Sequence, residues 1–533
     1  MHLLPTLMSP PYALPSDIVY FHDWRYVNQG GYRWLSESGQ SVSMWSRDPV
    51  GPMRYETSDL PFGIRLEAMK PALTDPILTP QMAGVPLFTG GTLLHEDGLY
   101  RLWYECHDED QFDPPRGQWA QEDTANDQTD RPIHAVRKKG IGHFNYLRYA
   151  ESSNGYDWKF PSLGLRKFHG STNNNIVIDP SLTPRTGYHG GTVFRDPSAP
   201  DEERYKSLFM GLVDDAMVQE YLTRRPNDVV RARTDINLAI CGAVSPDGLC
   251  WTPLPNVLVL QGSDTANVCE YDPRLGRYVA YCRTWVMHRR AIARMETEDF
   301  RHFSVSRPLF WPNAASSPCE TWYANAKSLM PGTSDYHVMF PMRWKQTDDR
   351  FDFFCATSPD NMTWGFVPGG PVVEPSERTR AWNAGGVNPN RGLVDLPDGS
   401  LAMMVGGTAV PHKHPRTPPL GAAAWAIWPR GRLVALCADN RGAFALWPLK
   451  VSGRTMHVNY DAGPSGNITI EASGPEGEVL PGRGFDECDR LTGDETDRVV
   501  TWQGDCDLGH PADAPVTLRF RLQAARLFSV SFA

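Results

Sequence analysis

The stretch SPDGLCW at residues 245–251 carries the repeat that decides the fold. It follows the apolar run LAICGAV and contains Asp-Gly, a dipeptide typical of tight turns between antiparallel strands. Related heptads that also end in an aromatic residue are SSNGYDW (152–158), TEDFRHF (297–303) and SPDNMTW (358–364). We interpret each copy as a hairpin turn whose aromatic residue folds back onto the sheet.

A second repeated element lies upstream of these turns and consists of an apolar strand, a turn and an aromatic-rich strand. Its five copies are TLLHEDGLYRLWYEC (92–106), TVFRDPSAPDEERYKSLFMG (192–211), NVCEYDPRLGRYVAYCR (267–283), AKSLMPGTSDYHVMFPMR (326–343) and NRGLVDLPDGSLAMMVGG (390–407). Five copies of a four-stranded antiparallel unit predict an all-β fold, a five-bladed β-propeller with very little helix.

The pattern changes after residue 450, where alternating strands such as VTLRFRLQ (516–523) are separated by Gly, Pro and Asp. This pattern predicts a C-terminal β-sandwich over residues 450–533 and a propeller over residues 81–449. Residues 1–80 are less regular, and we expect this N-terminal segment to pack on the propeller or on the sandwich.

Composition is that of a globular protein, with 533 residues, 41% apolar and 21% charged. The net charge of −10 argues against nucleic acid as a partner, because nucleic-acid binders present basic surfaces. There is no run of about 18 apolar residues, so we expect no membrane span. No cofactor motif is present, so we expect no cofactor. The sequence does not decide the oligomeric state, and a homo-oligomer stays an open alternative.

The cysteines and the N-terminus bear on the compartment. The ten cysteines are scattered, several within apolar runs, which is typical of buried, reduced thiols. The first residues have no basic stretch, and Pro5 interrupts their apolar run, so they do not resemble a signal peptide. We expect a cytoplasmic location, or secretion if a signal peptide has been removed.

Candidate site residues come from two positions in each unit, since the start of a propeller's inner strand and the end of its second strand open on one face. Among the five inner-strand starts the carboxylates are Asp264 and Glu320. The polar and aromatic residues that we expect to bind substrate are His189, Asp214, Asp215, Asn267, Arg283, Trp322, Tyr323, Asn325, Arg343, Trp382, Asn383 and His412. The second-strand ends also include Glu105 and Trp344.

Acids, guanidinium groups and aromatic faces in one pocket suit a polyol, because carboxylates bond hydroxyls and rings stack on sugar faces. Cleavage of a glycosidic bond normally uses two carboxyl groups. We assign Glu320 as the acid, because nearby aromatics would desolvate it, and keep Asp264 ionised. Asp214 or Asp215 is the reserve. His107, His412 and His414 could bind a metal, but a solvent-facing loop is the better interpretation, so we expect no metal.

The five-copy pattern, the SPDGLCW turns and the terminal VTLRFRLQAARLFSVSF resemble bacterial glycoside-hydrolase-like β-propeller proteins, distantly similar to glycoside hydrolase families 32, 43 and 68. The resemblance covers most of residues 85–533 and implies a retaining or inverting glycosidase, often on furanosides such as fructosides or arabinosides. This chain departs from those families, because it has no WMNDPN-like nucleophile motif and its inner strand of the first unit carries no aspartate.

Arg195-Asp196-Pro197 looks like the RDP tripeptide of the fructan hydrolases, in which the aspartate lies on the inner strand and stabilises the transition state. Here FRDP aligns with HEDG, EYDP, LMPG and LPDG, the turns of the other copies. We therefore predict Asp196 at a hairpin tip, away from the channel, where its replacement would cost about 1 kcal/mol.

Two alternatives to a hydrolase remain. One is a carbohydrate-binding protein whose acids only form hydrogen bonds. The other is a lyase or phosphorylase of glycans that uses Tyr323, His189 and Arg283 on an acidic sugar. Fold alone does not choose among them.

Overall fold

The computed structural model describes residues 9–42, 51–85, 88–107, 145–183, 188–226, 238–413, 421–511 and 513–533. Nearly all regular structure in these ranges is β-strand, which confirms the all-β prediction. Within the same ranges, no helix has the length and apolar character needed to cross a membrane.

The N-terminal elements are β1 (Tyr12–Ala13), β2 (Ile18–Tyr20), β3 (Gly31–Ser36), β4 (Ser41–Val42), β5 (Met53–Ser58), β6 (Arg65–Ala68), β7 (Ala72–Leu73) and helix α1 (Pro80–Ala83). Unit 1 has β8 (Phe88–Glu96), β9 (Leu99–His107), β10 (Asn145–Ser152) and β11 (Ile176–Ile178). Unit 2 has β12 (His189–Arg195), a 3-10 turn (Asp201–Glu203), β13 (Tyr205–Leu212), helix α2 (Asp215–Arg224), β14 (Leu238–Ser245) and β15 (Thr252–Pro253). Unit 3 has β16 (Val268–Asp272), β17 (Arg277–Val286), β18 (Arg289–Thr297) and β19 (Arg307–Phe310).

Unit 4 has interrupted strands, namely β20 (Glu320–Ala324), β21 (Lys327–Leu329), β22 (His337–Met339), β23 (Met342–Lys345), β24 (Arg350–Phe353), β25 (Ala356–Ser358) and β26 (Gly365–Phe366). Unit 5 has β27 (Gly386–Asp395), β28 (Leu401–Thr408) and β29 (Ala422–Trp428), and β7 pairs with β29 as its outer strand. The remaining strands are β30 (Val434–Ala445), β31 (Leu449–Lys450), β32 (Met456–Asp461), β33 (Asn467–Ser473), β34 (Asp494–Val499) and β35 (Thr517–Phe532).

The repeated heptads form the same turn in four units, as predicted. In unit 2 the Asp247 carboxylate accepts hydrogen bonds from the backbone amides of Leu249 and Cys250, both at 2.8 Å. The corresponding side chains Asn154, Asp299 and Asp360 accept equivalent pairs of amide bonds. The last position of the heptad packs inward, as the buried Trp251 does. In each turn, the side-chain oxygen accepts hydrogen bonds from two backbone amides that have no strand partner. This explains why the sequence has Asp or Asn at this position.

Hydrogen bonds and strand pairing connect the first strands of successive units. The links are Val193 N to Thr92 Oγ1 (3.0 Å), Thr192 Oγ1 to Asn267 O (2.7 Å), Asn325 Nδ2 to Ala266 O (3.1 Å), Gly392 N to Ser328 Oγ (3.1 Å), and the parallel pairing of Arg391 with Thr92. Unit 5 is thereby connected to unit 1, so the five units form a circuit.

The C-terminal sheet has the strand order β34-β32-β35-β30-β6, and β2 and β33 also pair with β35. Both N-terminal strands in this sheet, β2 and β6, come from the segment whose packing the sequence left open. The sheet buries apolar residues that alternate along β35, such as Leu518, Phe520 and Leu522. The long strand β35 therefore holds together segments from both ends of the chain.

Asp196 lies in the turn between β12 and β13, which confirms its predicted position at a hairpin tip. The side chain is fully buried, so we now expect its replacement to cost more than the loss of a turn bond alone. The carboxylate accepts a 2.6 Å hydrogen bond from the Tyr278 hydroxyl and pairs with the buried Lys206 ammonium at 3.2 Å. Asp196 thus connects unit 2 to unit 3 as a structural residue.

We expect Asp196→Asn to lower the free energy of unfolding by about 2 kcal/mol, because the amide removes the nearer of the two carboxylates that pair with the buried Lys206 ammonium and leaves only Glu203 at 3.8 Å. Urea unfolding measures this. Asp398→Asn is the matched control, since Asp398 occupies the corresponding turn of unit 5 but is exposed. Equal effects of the two substitutions would contradict the role of the buried ion pair.

Candidate active site

The candidate site lies where the starts of the first strands meet the ends of the second strands. His189 begins β12, Asp264 precedes β16 and Glu320 begins β20. Glu105 lies near the end of β9, and Arg283 near the end of β17. The charged residues of units 1, 2 and 3 contact one another, whereas Glu320 of unit 4 begins its own first strand.

Asp264 forms an ion pair with Arg283, whose side chain is only 3% exposed. Although 48% of the Asp264 side-chain surface is accessible, cationic residues surround its carboxylate. Burial opposes ionisation, but Arg283, then His189 and Arg290, outweigh it and lower the pKa of Asp264 to about 2. Asp264 is therefore a carboxylate at any pH above this value, as its assigned role requires.

His189 is held by Glu105. Its Nδ1 lies 2.6 Å from Glu105 Oε1, while the amide of Gly190 donates to Glu105 Oε2 at 2.8 Å. Burial opposes a charged imidazole, but Glu105 and then Asp264 outweigh it and raise the pKa of His189 above 6.5. Gly190 has φ of 60°, and a side chain there would collide with the backbone of Asp264 and Thr265. Glycine therefore lets β12 approach the segment that carries Asp264.

Tyr323 is the centre of an aromatic and cationic cluster. The Arg283 guanidinium lies 4.1 Å from the ring centroid and donates to the Tyr323 carbonyl oxygen at 2.7 Å. Arg290 lies 5.1 Å from the Tyr323 ring and 4.8 Å from that of Trp344. The Tyr323 hydroxyl lies 3.2 Å from His412 Nε2, which brings unit 5 into the site. Arg283 thus connects Asp264 to the strand that begins with Glu320.

Glu320 has its own partners. Arg343 Nη1 lies 3.2 Å from Glu320 Oε1, and Arg343 also pairs with the buried Asp352 at 2.7 Å. Trp322, two residues along β20, stacks on Phe366 with a centroid distance of 4.8 Å. Asp264 and Glu320 are bound by different arginines, and both carboxylates remain partly accessible to solvent.

The other predicted residues divide into structural and peripheral positions. Asn267 donates to the carbonyls of Gly190 and Ser263, both at 2.9 Å, and Asn325 bonds unit 4 to unit 3, so both amides hold the units together. Asp214 caps α2 by accepting from the amide of Met217 at 2.9 Å. The remaining positions are Asp215, which is exposed in the first turn of α2, the half-buried Trp382 beside Gly407, and the buried Asn383.

Two contributors were missed. Glu105 stood among the second-strand ends but was not assigned as a site residue, and Arg290 was not singled out. Met287 and His288 have positive φ values of 49° and 62°. This two-residue turn places Arg290 opposite Trp285, with the guanidinium 4.9 Å from the ring. The sequence YCRTWVMHRR contained a signal for Arg290. Residues of a strand alternate between its two faces, so Arg283 and Trp285 share one face, and the turn that pairs Arg290 with Trp285 puts Arg290 on that same face. The described residues contain no cluster suited to a metal; the His107 side chain and His414 lie outside them.

We expect the imidazole of His189 to titrate above pH 6.5, and Glu105→Gln to lower its pKa because burial then dominates. Because the folded-state pKa is raised, the stabilisation is fully present below pH 6.5 and is lost as the pH rises through the folded-state pKa. NMR titration measures the pKa, with His189→Gln identifying the resonance. A wild-type pKa at or below the ordinary value would contradict the Glu105 pairing.

No protein-family model matches the sequence, and no curated protein matches it. Similar solved structures include a β-1,2-mannobiose phosphorylase from Listeria innocua, with 12% identity, a TM-score of 0.42, and coverage of 68% of this chain and 96% of that one. An α-L-arabinofuranosidase from Podospora anserina has 13% identity, a TM-score of 0.40, and coverage of 68% and 96%. A family 32 β-fructofuranosidase from Bombyx mori has 10% identity, a TM-score of 0.36, and coverage of 87% and 94%.

Proposed function

We propose that the five units are the blades of a β-propeller and that the C-terminal sheet belongs to a β-sandwich. The circuit of bonds between first strands supports the propeller, because blades arranged around an axis must contact in a ring. The pairing of β30 with β35 favours a boundary near residue 434 rather than at 450. Residues 1–80 are shared, since β7 completes blade 5 and β6 joins the sandwich.

We further propose that the protein is a glycoside hydrolase with its site at the end of the propeller where Asp264 and Glu320 lie. The observation that carries this proposal is the Asp264 carboxylate, which Arg283, His189 and Arg290 hold ionised although it is partly exposed. Glu320, partly exposed at the start of the next unit's first strand, is proposed as the second carboxyl group. Asp264 would act as nucleophile or base, and Glu320 would protonate the glycosidic oxygen. Trp285, 45% exposed, would offer a ring face to the sugar. A furanoside is the proposed substrate class.

His189 is proposed to position the sugar rather than to react. Glu105 holds its Nδ1, so the opposite nitrogen of the ring is oriented by that bond. Arg283 is proposed to keep Asp264 ionised and fixed, and Tyr323 to supply the hydroxyl and ring beside it.

The test is a screen of the full-length protein against aryl furanosides, aryl pyranosides and oligosaccharide pools. The proposal predicts release of the aglycone or of free sugar, and loss of that release in Asp264→Asn. Binding of a glycan without any turnover would contradict the hydrolase proposal and favour the carbohydrate-binding alternative.

A phosphorylase is the second candidate, because Arg283, Arg290 and His189 concentrate positive charge around Asp264. Such groups can hold a phosphate ion as the attacking nucleophile. The same screen is repeated with inorganic phosphate, and formation of a sugar phosphate in place of free sugar would decide for this candidate.

A further inference from the structure

A cavity of about 790 Å³ lies in the C-terminal sheet region, and none of the proposed active-site residues lines it. Its floor is the outward face of three neighbouring strands, β33, β35 and β30. Alternation along β35 turns Leu518, Phe520 and Leu522 into the core, so Arg519 and Arg521 face the cavity. The volume lies within the range of pockets that bind small ligands.

Positive charge dominates this cavity. Its charged lining residues are Arg441, Arg490, Arg519, Arg521, Asp59 and Asp486. Arg519 is paired with Asp59 at 2.6 Å. In the part of the chain that the structure describes, no carboxylate lies within ion-pair distance of the other three arginines, and Asp486 is likewise unpaired. The chain as a whole carries a net charge of −10, so this basic recess stands out against its overall charge.

The arginines are arranged by the sheet. Arg521 lies opposite Thr469, and Arg441 lies opposite Gln523, which faces Asn467 on the third strand. Phe485 covers Arg521, with the guanidinium 3.8 Å from the ring centroid, which fixes the guanidinium plane. The cations therefore alternate with neutral hydrogen-bonding side chains across one surface.

We propose that this cavity binds an acidic oligosaccharide, with sugar carboxylates held by Arg441, Arg490 and Arg521. Guanidinium groups form two parallel hydrogen bonds with a planar carboxylate. The amides of Asn467 and Gln523 suit sugar hydroxyls, and Phe62 at the rim, 59% exposed, offers a ring to a sugar face. The proposal does not depend on the hydrolase activity, because the two sites share no residue.

The experiment is calorimetric titration of the full-length protein with trigalacturonate, with maltotriose as the neutral probe. We expect trigalacturonate alone to bind, and Arg441→Gln and Arg521→Gln each to weaken it at least about tenfold. Arg498→Gln is the matched control, since Arg498 is an exposed arginine of β34 outside the cavity. We expect that variant to bind within about twofold of wild type.

Three results would overturn the proposal. They are no binding of trigalacturonate, equal loss in Arg498→Gln, and equal binding of maltotriose. The same titration is repeated with poly-glutamate and with inorganic sulfate. Tighter binding of poly-glutamate would assign the cavity to an acidic peptide, and tighter binding of sulfate would assign it to sulfate or phosphate groups, so either would overturn the uronate assignment.

Discussion

Asp264→Asn should lower turnover at least about a hundredfold on any substrate that the screen identifies. The amide has the same shape but lacks the charge that Arg283, His189 and Arg290 stabilise. The Michaelis constant should change far less, because Tyr323 and the exposed Trp285 still provide aromatic surfaces. Steady-state kinetics separates the two effects.

Glu320→Gln gives a sharper result, because an acid matters only when the leaving group needs a proton. Turnover should fall at least about a hundredfold on substrates with sugar leaving groups. It should fall much less on dinitrophenyl glycosides, which leave without protonation. Asp264→Asn should impair both kinds of substrate equally.

Comparing the two variants also tests whether a loss of turnover comes only from a loss of folding stability. Asp264→Asn leaves the buried Arg283 without its counter-charge, so its unfolding is measured alongside its kinetics. Glu320 is 25% exposed, and its partner Arg343 keeps Asp352, so Glu320→Gln should leave stability nearly unchanged. If both variants keep near-normal turnover, the assignment is wrong and Glu105 becomes the next residue to test.

The sequence alone predicted the features that depend on residues close together in the chain. The turn at Asp247 depends on amides two and three residues away, so a heptad contains all the information needed to recognise it. The hairpin tip at Asp196 was found in the same way. Its burial was not, because burial depends on Tyr278, which lies 82 residues along the chain.

The candidate site was only partly predictable for the same reason. Asp264 and Arg283 were both named, but their ion pair depends on how β17 lies beside the segment before β16. Glu105 meets His189 across 84 residues. Asp214 was assigned to the site because the repeat indicated only strands, whereas Asp214 caps a helix inserted between β13 and β14. An Asp before an acidic first turn is an N-cap signal that the strand repeat obscured.

A buried ion pair between units 3 and 4 is the basis of the second prediction with a large expected effect. Lys327 on β21 is fully buried and pairs with Glu270 on β16, so it joins unit 4 to unit 3. Glu270 also accepts a 3.2 Å hydrogen bond from Asn361 Nδ2. Burial, with Lys327 next, holds the pKa of the nearby His337 far below its ordinary value, so that imidazole adds no positive charge. Lys327 is therefore the cation on which the buried carboxylate depends most directly.

Lys327→Met should lower the free energy of unfolding by about 3–5 kcal/mol, because the thioether fills similar space while Glu270 keeps a buried charge. Lys70→Met is the matched control: Lys70 pairs with Glu374 at 2.9 Å, but the two side chains are 61% and 52% exposed. That control should cost less than about 1 kcal/mol. The double variant Lys327→Met with Glu270→Gln should recover part of the loss, because the remaining amide still accepts from Asn361 without carrying charge. Urea unfolding of the wild type, Lys327→Met, the single variant Glu270→Gln and the double variant measures the coupling, with Lys70→Met measured alongside. A loss in Lys327→Met no larger than in Lys70→Met would show that the pair does not hold the units together.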